Sequence, residues 1–326
     1  MKAITQQRYG GPETLDYDEV PVPSPKPDQV LIRVRAASVN AADWLLTRGE
    51  PYLVRLAFGL RAPKAATPGR DVAGVIEAVG SAVNGFAVGD EVFGEVASGT
   101  WAEYVVAPAR LLARRPRALS FEEAACVPLA GMTALQGLRD VAHVAPGDRV
   151  LVNGASGGVG SFAVQIGAAL GATVTGVCST RNVEMVRELG AHEVIDYTER
   201  DVTEGDERFD VIFDLVGNHP LSRLRRVLSP KGILVLASGN GGRVLGPIGR
   251  ILAGAVQNTF VSQQIRPLSA AANAADLDEL TALIDAGKLR PRIERNYPLA
   301  EAADALRHFG EQHARGKIGI SVSASD

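Results

Sequence analysis

The chain has 326 residues, a formal net charge of −3 and a 46% share of hydrophobic residues. That length suggests about two domains with a sizeable core. The charge supplies no basic field for nucleic acid or an anionic membrane. No apolar run approaches the roughly 20 residues that span a bilayer, and two cysteines, Cys126 and Cys178, exclude a disulfide framework or a Cys-rich zinc lobe.

Residues 1–8 lack the apolar core of a signal peptide, so the expected location is the cytoplasm. Residues 1–122 read as mostly β. Residues 16–27 are rich in proline and acids, as at a strand end and loop. Residues 30–36 alternate, with Val30, Ile32 and Val34 on one face. Residues 71–80 form another strand, interrupted by Gly74, where a bend or bulge is expected. Gly89 and Asp90 open a strand over 91–94, and the β pattern continues over 99–106. Many short strands with Gly/Pro punctuation suggest a small barrel or sandwich. Residues 44–67, with Arg48, Arg55, Arg61 and Lys64, are either a flap over a cleft or a solvated loop.

The texture changes at Phe121. Residues 121–138 are Ala-rich, with Ser120 as N-cap, and Pro128 and Gly131 are expected to split them into two helices. Strands then alternate with helices. Strands are expected at 150–153, 172–178, 193–196, 211–215 and 232–237, and helices at 158–170, 181–189 and 219–228. Such alternation means a parallel sheet covered by helices on both faces. A helix over 276–286, another running through Phe309, and a strand over 317–322 close the chain.

Residues 150–160 pass from an apolar run through small residues into an apolar helical pattern at Val159, Phe162, Ala163, Ile166 and Leu170. A turn of this kind aims unpaired helix N–H groups at one point, and its glycines let a phosphate approach the backbone. The dinucleotide pattern G-x-G-x-x-G has Ala155, Gly157 and Gly160 in its glycine positions, inside a βαβ unit of suitable length. The other reading is a Gly-rich βα turn with no ligand.

Further short motifs stand at residues 37–43, 68–74, 89–92, 131–134, 195–197 and 316–318. In this order and spacing the chain resembles the medium-chain dehydrogenase/reductase superfamily along almost its whole length. The nearest branch is that of the zinc-independent quinone oxidoreductases and the related reticulon-interacting, NADPH-dependent reductases. The resemblance implies a GroES-like β-barrel domain over 1–122, completed by 289–326. Beside it stands a doubly wound α/β Rossmann domain over 123–288, with the active site in the cleft between them. The zinc alcohol dehydrogenases of this superfamily need Cys and His ligands. Here residues 38–43 hold no Cys, and Gly69-Arg70-Asp71 stands where a Gly-His-Glu would, so no zinc is expected.

An NAD site carries an acid about 20 residues beyond the turn, but residues 176–181 end the second strand without one. NADPH is therefore the expected cofactor. The resemblance surrounds its 2′-phosphate with Ser179, Arg181 and Tyr197, and its pyrophosphate with Ser156, Gly157, Gly158 and Val159. It adds Thr133, Val216, Gly217, Ser238, Phe260, Val261 and Lys317 as further cofactor contacts. Ser179 or Thr180 has the alternative role of helix cap, and Phe260 that of core or subunit interface.

Without a metal, hydride transfer is a matter of positioning and excluded water, and the acceptor must be electrophilic already: a quinone or an α,β-unsaturated carbonyl. Asn40, as hydrogen-bond donor, and Tyr52, as donor or wall, are the candidate catalytic residues. Asp43 reads as structural, and Arg70 as a partner for Asp43 or Asp71. The alternatives are a zinc-free carbonyl or alcohol dehydrogenase, or a non-catalytic NADPH-binding protein with a partner-binding role. The expected partners are an apolar electrophilic small molecule and a second copy in a homodimer, paired through an edge strand over 255–261. No nucleic acid or membrane partner is expected. His143, His192, His219, His308 and His313 are scattered without ligand spacing.

Overall fold

The computed structural model describes residues 1–237, 246, 248–258, 261–312 and 314–322. The chain forms two compact units. The first comprises Met1–Met132, Ala272–Gly287 and Pro291–Asp326, the second Thr133–Ala271 and Lys288–Arg290.

In chain order, strands β1 (Lys2–Gln6), β2 (Leu15–Glu19) and β3 (Gln29–Val39) lead to helix α1 (Ala41–Arg48) and the one-turn helix α2 (Arg55–Phe58). Strands β4 (Asp71–Val79), β5 (Glu91–Glu95), β6 (Tyr104–Pro108) and β7 (Leu112–Arg114) precede α3 (Phe121–Ala125) and α4 (Pro128–Gln136). Then come β8 (Arg149–Asn153), α5 (Gly158–Ala169), β9 (Thr173–Cys178), α6 (Val183–Glu188), β10 (Glu193–Asp196), β11 (Phe209–Asp214), α7 (Leu221–Arg226) and β12 (Leu228–Leu236). The last elements are α8 (Ile248–Asn258), β13 (Gln264–Pro267), α9 (Ala274–Asp285), β14 (Ile293–Pro298), α10 (Ala302–Gln312) and β15 (Lys317–Ser321).

The first unit is built on a sheet of order β14-β15-β3-β4-β5-β7, with β6 also paired to β3. Val30, Ile32 and Val34 face one core with Ile76, Val92, Trp101, Ile318 and Ile320. Gly74 marks a close approach: a Cβ there would lie 2.3 Å from the Arg33 carbonyl oxygen. The extra residue of the adjacent bulge is on the partner strand, where Arg35 falls between the pairs Val34↔Gly74 and Ala36↔Ala73.

Three local expectations change. Residues 44–67 are not simply loop, because α1 runs into them and α2 follows. Residues 99–103 lie outside the regular strand, although Trp101 within them is fully buried. Residues 121–138 do split, but only ahead of Pro128; Gly131 lies inside α4, where its missing side chain admits Leu280. Ser120 caps α3 as expected. Its Oγ accepts the Glu123 N–H (3.2 Å) and its own N–H donates to Glu123 Oε2 (3.0 Å).

The second unit holds a six-stranded sheet of order β10-β9-β8-β11-β12-β13, every pair parallel. The order reverses between β8 and β11, which places a topological switch point at the carboxyl ends of those two strands. Val150, Leu151 and Val152 are fully buried, as a central parallel strand requires. The edge strand expected over 255–261 is a correction: Ala255 to Asn258 are the last turn of α8, and β13 forms the edge. Ile251, Leu252 and Val256 recur at helical spacing, and Gly254 lets α8 pack closely on Ile265. Asn258 then covers part of that edge, its amide both donating to Ile265 O and accepting from Ile265 N–H at 2.8 Å.

Both cysteines are buried and free. Burial pushes the Cys126 thiol up to about 12 and the Cys178 thiol up to about 11, so neither is a reactive thiolate at neutral pH.

Candidate active site

In the second unit, the carboxyl ends of the strands carry most of the residues singled out for the cofactor. After β8 the chain turns at Gly154, whose φ of 92° suits glycine, and the N–H groups of Gly154 and Ala155 both bond Val177 O on β9. Gly157 is the N-cap of α5 and no side chain caps the helix, so its first-turn N–H groups have no intrahelical partner. Gly160 is required by packing: a Cβ there would lie 2.0 Å from Gly154 O. Gly157 is different. Its Cβ would meet only Gly154 O at 3.5 Å, so a face of the turn is left open.

Ser156 and Ser179 are joined through Asn182, whose Nδ2 donates to both hydroxyls, at 3.2 and 3.1 Å. Asn182 is 4% exposed, and its Oδ1 is buried without a partner. Arg181 and Tyr197 follow the ends of β9 and β10 and are exposed. Beside them Asp196 is turned toward Thr180 and Thr198, and the Thr180 hydroxyl first, then the Thr198 N–H and hydroxyl, hold its carboxyl below the usual range.

At the switch point Asp214 is fully buried. Its Oδ1 accepts from Asn153 Nδ2 (2.8 Å) and from the N–H groups of Val216 (3.3 Å) and Gly217 (3.0 Å). Its Oδ2 accepts from Arg250 Nη2 at 2.6 Å. This network holds the Val216-Gly217 turn, with Gly217 at φ 73°. Asn153, Asp214, Asn182 and Arg250 were not singled out in the sequence. The signal for two of them was available, since Asn153 and Asp214 are polar residues ending apolar strands. Thr133 lies in α4, and Val261 is partly buried after α8. Ser238, Phe260 and His313 lie outside the described residues. A cavity of about 310 Å³ near β10, lined by Arg200, Asp201 and Glu207, touches none of the candidate residues.

The first unit gathers a second group at the end of β3. Asn40 is the N-cap of α1, yet its side chain turns away from the helix. Its Nδ2 donates to Asp71 Oδ2 at 2.9 Å, and its Oδ1 accepts from Lys317 Nζ. Asp71 Oδ2 also accepts from Ser38 Oγ at 2.8 Å, and its Oδ1 from the Leu129 N–H at 3.0 Å. Lys317, 2% exposed, stands 3.4 Å from Asp71 Oδ2 and donates to Val39 O at 3.3 Å. Its three donors are therefore engaged within this unit. Arg70 pairs with neither Asp43 nor Asp71; it holds Glu95 Oε1 through Nη2 (2.7 Å) and Nε (3.1 Å). Tyr52 is not part of this group. It is 43% exposed, and the Arg55 guanidinium lies 4.5 Å from its ring and 4.6 Å from that of Tyr9.

Asp43 accepts the Asn40 backbone N–H at 2.8 Å and is 2% exposed. Burial, then the nearby Asp71 charge, raises its carboxyl from 3.8 to about 7. The folded protein thus keeps a proton that the unfolded chain loses as pH rises past the ordinary value. Stability should fall between about pH 4 and pH 7 and level off above, by about 4 kcal/mol from this residue. Asp43→Asn should flatten that slope in urea melts taken across pH; an unchanged slope would mean that Asp43 ionises normally.

The composition of this group bears on a metal. Zinc is held by thiolate, imidazole or carboxylate. Around Asp71 stand a hydroxyl, an amide and an ammonium, and a buried ammonium repels a divalent cation. Among the described residues no group of three or more His, Cys, Asp or Glu side chains could hold a metal ion. These residues do not fit zinc.

Comparison with known proteins finds matches in both halves of the chain. Residues 26–117 match the alcohol dehydrogenase GroES-like domain, and residues 189–318 match a family described as zinc-binding dehydrogenase. The chain is 33% identical to the chloroplast envelope quinone oxidoreductase homolog of Arabidopsis thaliana, over 98% of this chain and 97% of that one. It is also 33% identical to the NADPH-dependent alkenal/one oxidoreductase, chloroplastic, of the same plant, over 98% and 79%. The solved quinone oxidoreductase of Coxiella burnetii superposes with a TM-score of 0.87 at 31% identity, covering 99% of each chain. The chain belongs to the quinone oxidoreductases of the medium-chain dehydrogenase/reductase superfamily. A GroES-like domain and a Rossmann domain with a parallel sheet are its fold.

Proposed function

We propose that this protein is an NADPH-dependent reductase that transfers hydride, without zinc, to a quinone or an α,β-unsaturated carbonyl. The observation that carries this reading is the β8–α5 turn: an uncapped helix start with an open glycine face, at the switch point of a parallel sheet. A dinucleotide's pyrophosphate fits that face, held by the N–H groups of Gly158 and Val159 and by Ser156. The unpartnered Oδ1 of Asn182 and the Val216-Gly217 turn offer further polar contacts along the same edge. No acid ends β9, while Ser179 and Arg181 do offer donors there to a 2′-phosphate. The names of the relatives point the same way, to quinones and to alkenals and enones.

When bound, NADPH supplies the hydride. The chain supplies position and hydrogen bonds. Asn40 is held by Asp71 and Lys317 so that its amide cannot rotate, which fixes one N–H on Asp71 and leaves the other for an oxygen that gains charge. Tyr52, exposed and apart from the Asn40 group, is given no catalytic role in this account. The cytoplasm and a homodimer complete the reading, with the dimer contact elsewhere than a strand over 255–261.

Paired calorimetric titrations should show NADPH binding at least about tenfold more tightly than NADH, and Arg181→Ala should remove about 1.5–3 kcal/mol from NADPH alone. Equal affinities in the wild type would refute the cofactor choice. Asn40→Ala should lower kcat/KM for 1,4-naphthoquinone or an enone by about 10²-fold while leaving the NADPH Kd nearly unchanged. The reverse pattern would remove Asn40 from the chemistry.

A further inference from the structure

The first unit contains a cavity of about 190 Å³ beside the Asn40 group. Its walls are mainly apolar, with Leu46, Phe58, Pro63 and Pro68 among them. Three of its polar lining residues are almost completely buried: Asp43 and Thr47, each 2% exposed, and Gln6, 4% exposed, whose amide N–H groups are taken up by Arg8 O and Thr47 O. The Thr47 hydroxyl has no hydrogen-bond partner. Near the end of a helix such a hydroxyl ordinarily bonds the carbonyl one turn back. Here it does not, and leaving a buried hydroxyl unmatched is unfavourable. Asp43 has one protein hydrogen bond, to Oδ2 from Asn40 N–H, which ties this end of the cavity directly to Asn40. An apolar chamber with a few buried polar groups at one end is the usual form of a small-molecule site.

We propose that this cavity seats the acceptor of the reductase reaction: a compact, apolar molecule of one or two rings, with an oxygen met by the Thr47 hydroxyl and the Asp43 carboxyl. The assignment rests on the reductase reading and extends it to substrate class. The volume sets the size limit, being below the roughly 300–1,000 Å³ of pockets for larger ligands. Long-chain or multi-ring acceptors leave most of their surface outside it. Thr47 and Asp43 select for an oxygen, the apolar walls for a ring, and Lys64 and Arg70, which also line the cavity, select against a cation.

The test uses full-length protein with NADP⁺ bound and 1-naphthol as the probe, which has the ring and the oxygen but accepts no hydride. Calorimetry should register 1-naphthol on the wild type. Thr47→Val, which keeps the shape and loses the hydroxyl, should bind it about five- to tenfold more weakly. Ala57→Phe, on the exposed turn that also lines the cavity, should abolish binding and raise KM for 1,4-naphthoquinone while the NADPH Kd stays put. Melting temperatures establish that both variants are folded.

No binding by the wild type, or binding in both variants as tight as in the wild type, overturns the cavity assignment. If the wild type still reduces 1,4-naphthoquinone in that case, the reductase reading stands. Variant-sensitive binding in a wild type that reduces no acceptor keeps the cavity as a ligand site and removes the reductase reading.

Discussion

Gly157→Val should weaken NADPH binding by up to about a hundredfold and leave the fold intact, whereas Gly160→Val should unfold the second unit. Both are glycines of one turn, but the chain constrains them differently. Gly157 has φ −81°, which any residue adopts, and an added Cβ meets only Gly154 O at ordinary contact distance. A side chain there fills space that the protein itself does not use. It obstructs a ligand by about 1–3 kcal/mol, the range for overpacking a close contact. At Gly160 the Cβ would stand 2.0 Å from a backbone oxygen, which cannot move without opening the turn. A loss of about 3 kcal/mol or more is expected there. Circular-dichroism melts and NADPH titrations on the two variants separate the effects. A folded Gly157→Val protein with normal NADPH affinity would take the turn out of the cofactor site.

Lys317→Met should destabilise the first unit by about 3–5 kcal/mol, because it leaves the Asp71 carboxylate buried with no counter-charge. Methionine preserves most of the volume, so packing alone predicts a much smaller loss. The double variant Lys317→Met with Asp71→Asn should recover most of the stability, since the uncompensated charge is then gone. Urea unfolding of the four proteins in this cycle gives the coupling directly. Additive losses would mean that Lys317 and Asp71 do not depend on each other.

The alternation of strands and helices beyond residue 150 was legible because each segment is local: an apolar run of strand length, a glycine, a helical spacing. Residues 255–261 misled for the same local reason. Alanine, valine and phenylalanine in a short window resemble a strand, and only the wider spacing from Ile248 shows the helix. The site was legible where it is contiguous. Gly157 and Gly160 stood out, although Gly154, whose positive φ makes the turn, lies outside the pattern that was matched. The two buried ion pairs were not legible as pairs. Asp214 meets Arg250 across 36 residues and Asp71 meets Lys317 across 246, and no window of sequence relates such partners. Hence Arg70, at a position where the zinc enzymes carry a ligand, is expected to serve Asp43 or Asp71, whereas Glu95 receives it on the neighbouring strand.

The sequence distance between Asp71 and Lys317 also bears on biosynthesis. At about 5–20 residues per second, a ribosome needs roughly 12–50 s to pass from the aspartate to the lysine. During that interval β4 has its neighbour β3, but strand β15, which flanks β3 on its other side, does not yet exist. The nascent amino-terminal region must therefore wait with an acid it cannot bury while the whole of the second unit is synthesised. Chaperone dependence should concentrate in that window, and release of the carboxyl-terminal strand should be the event that ends it.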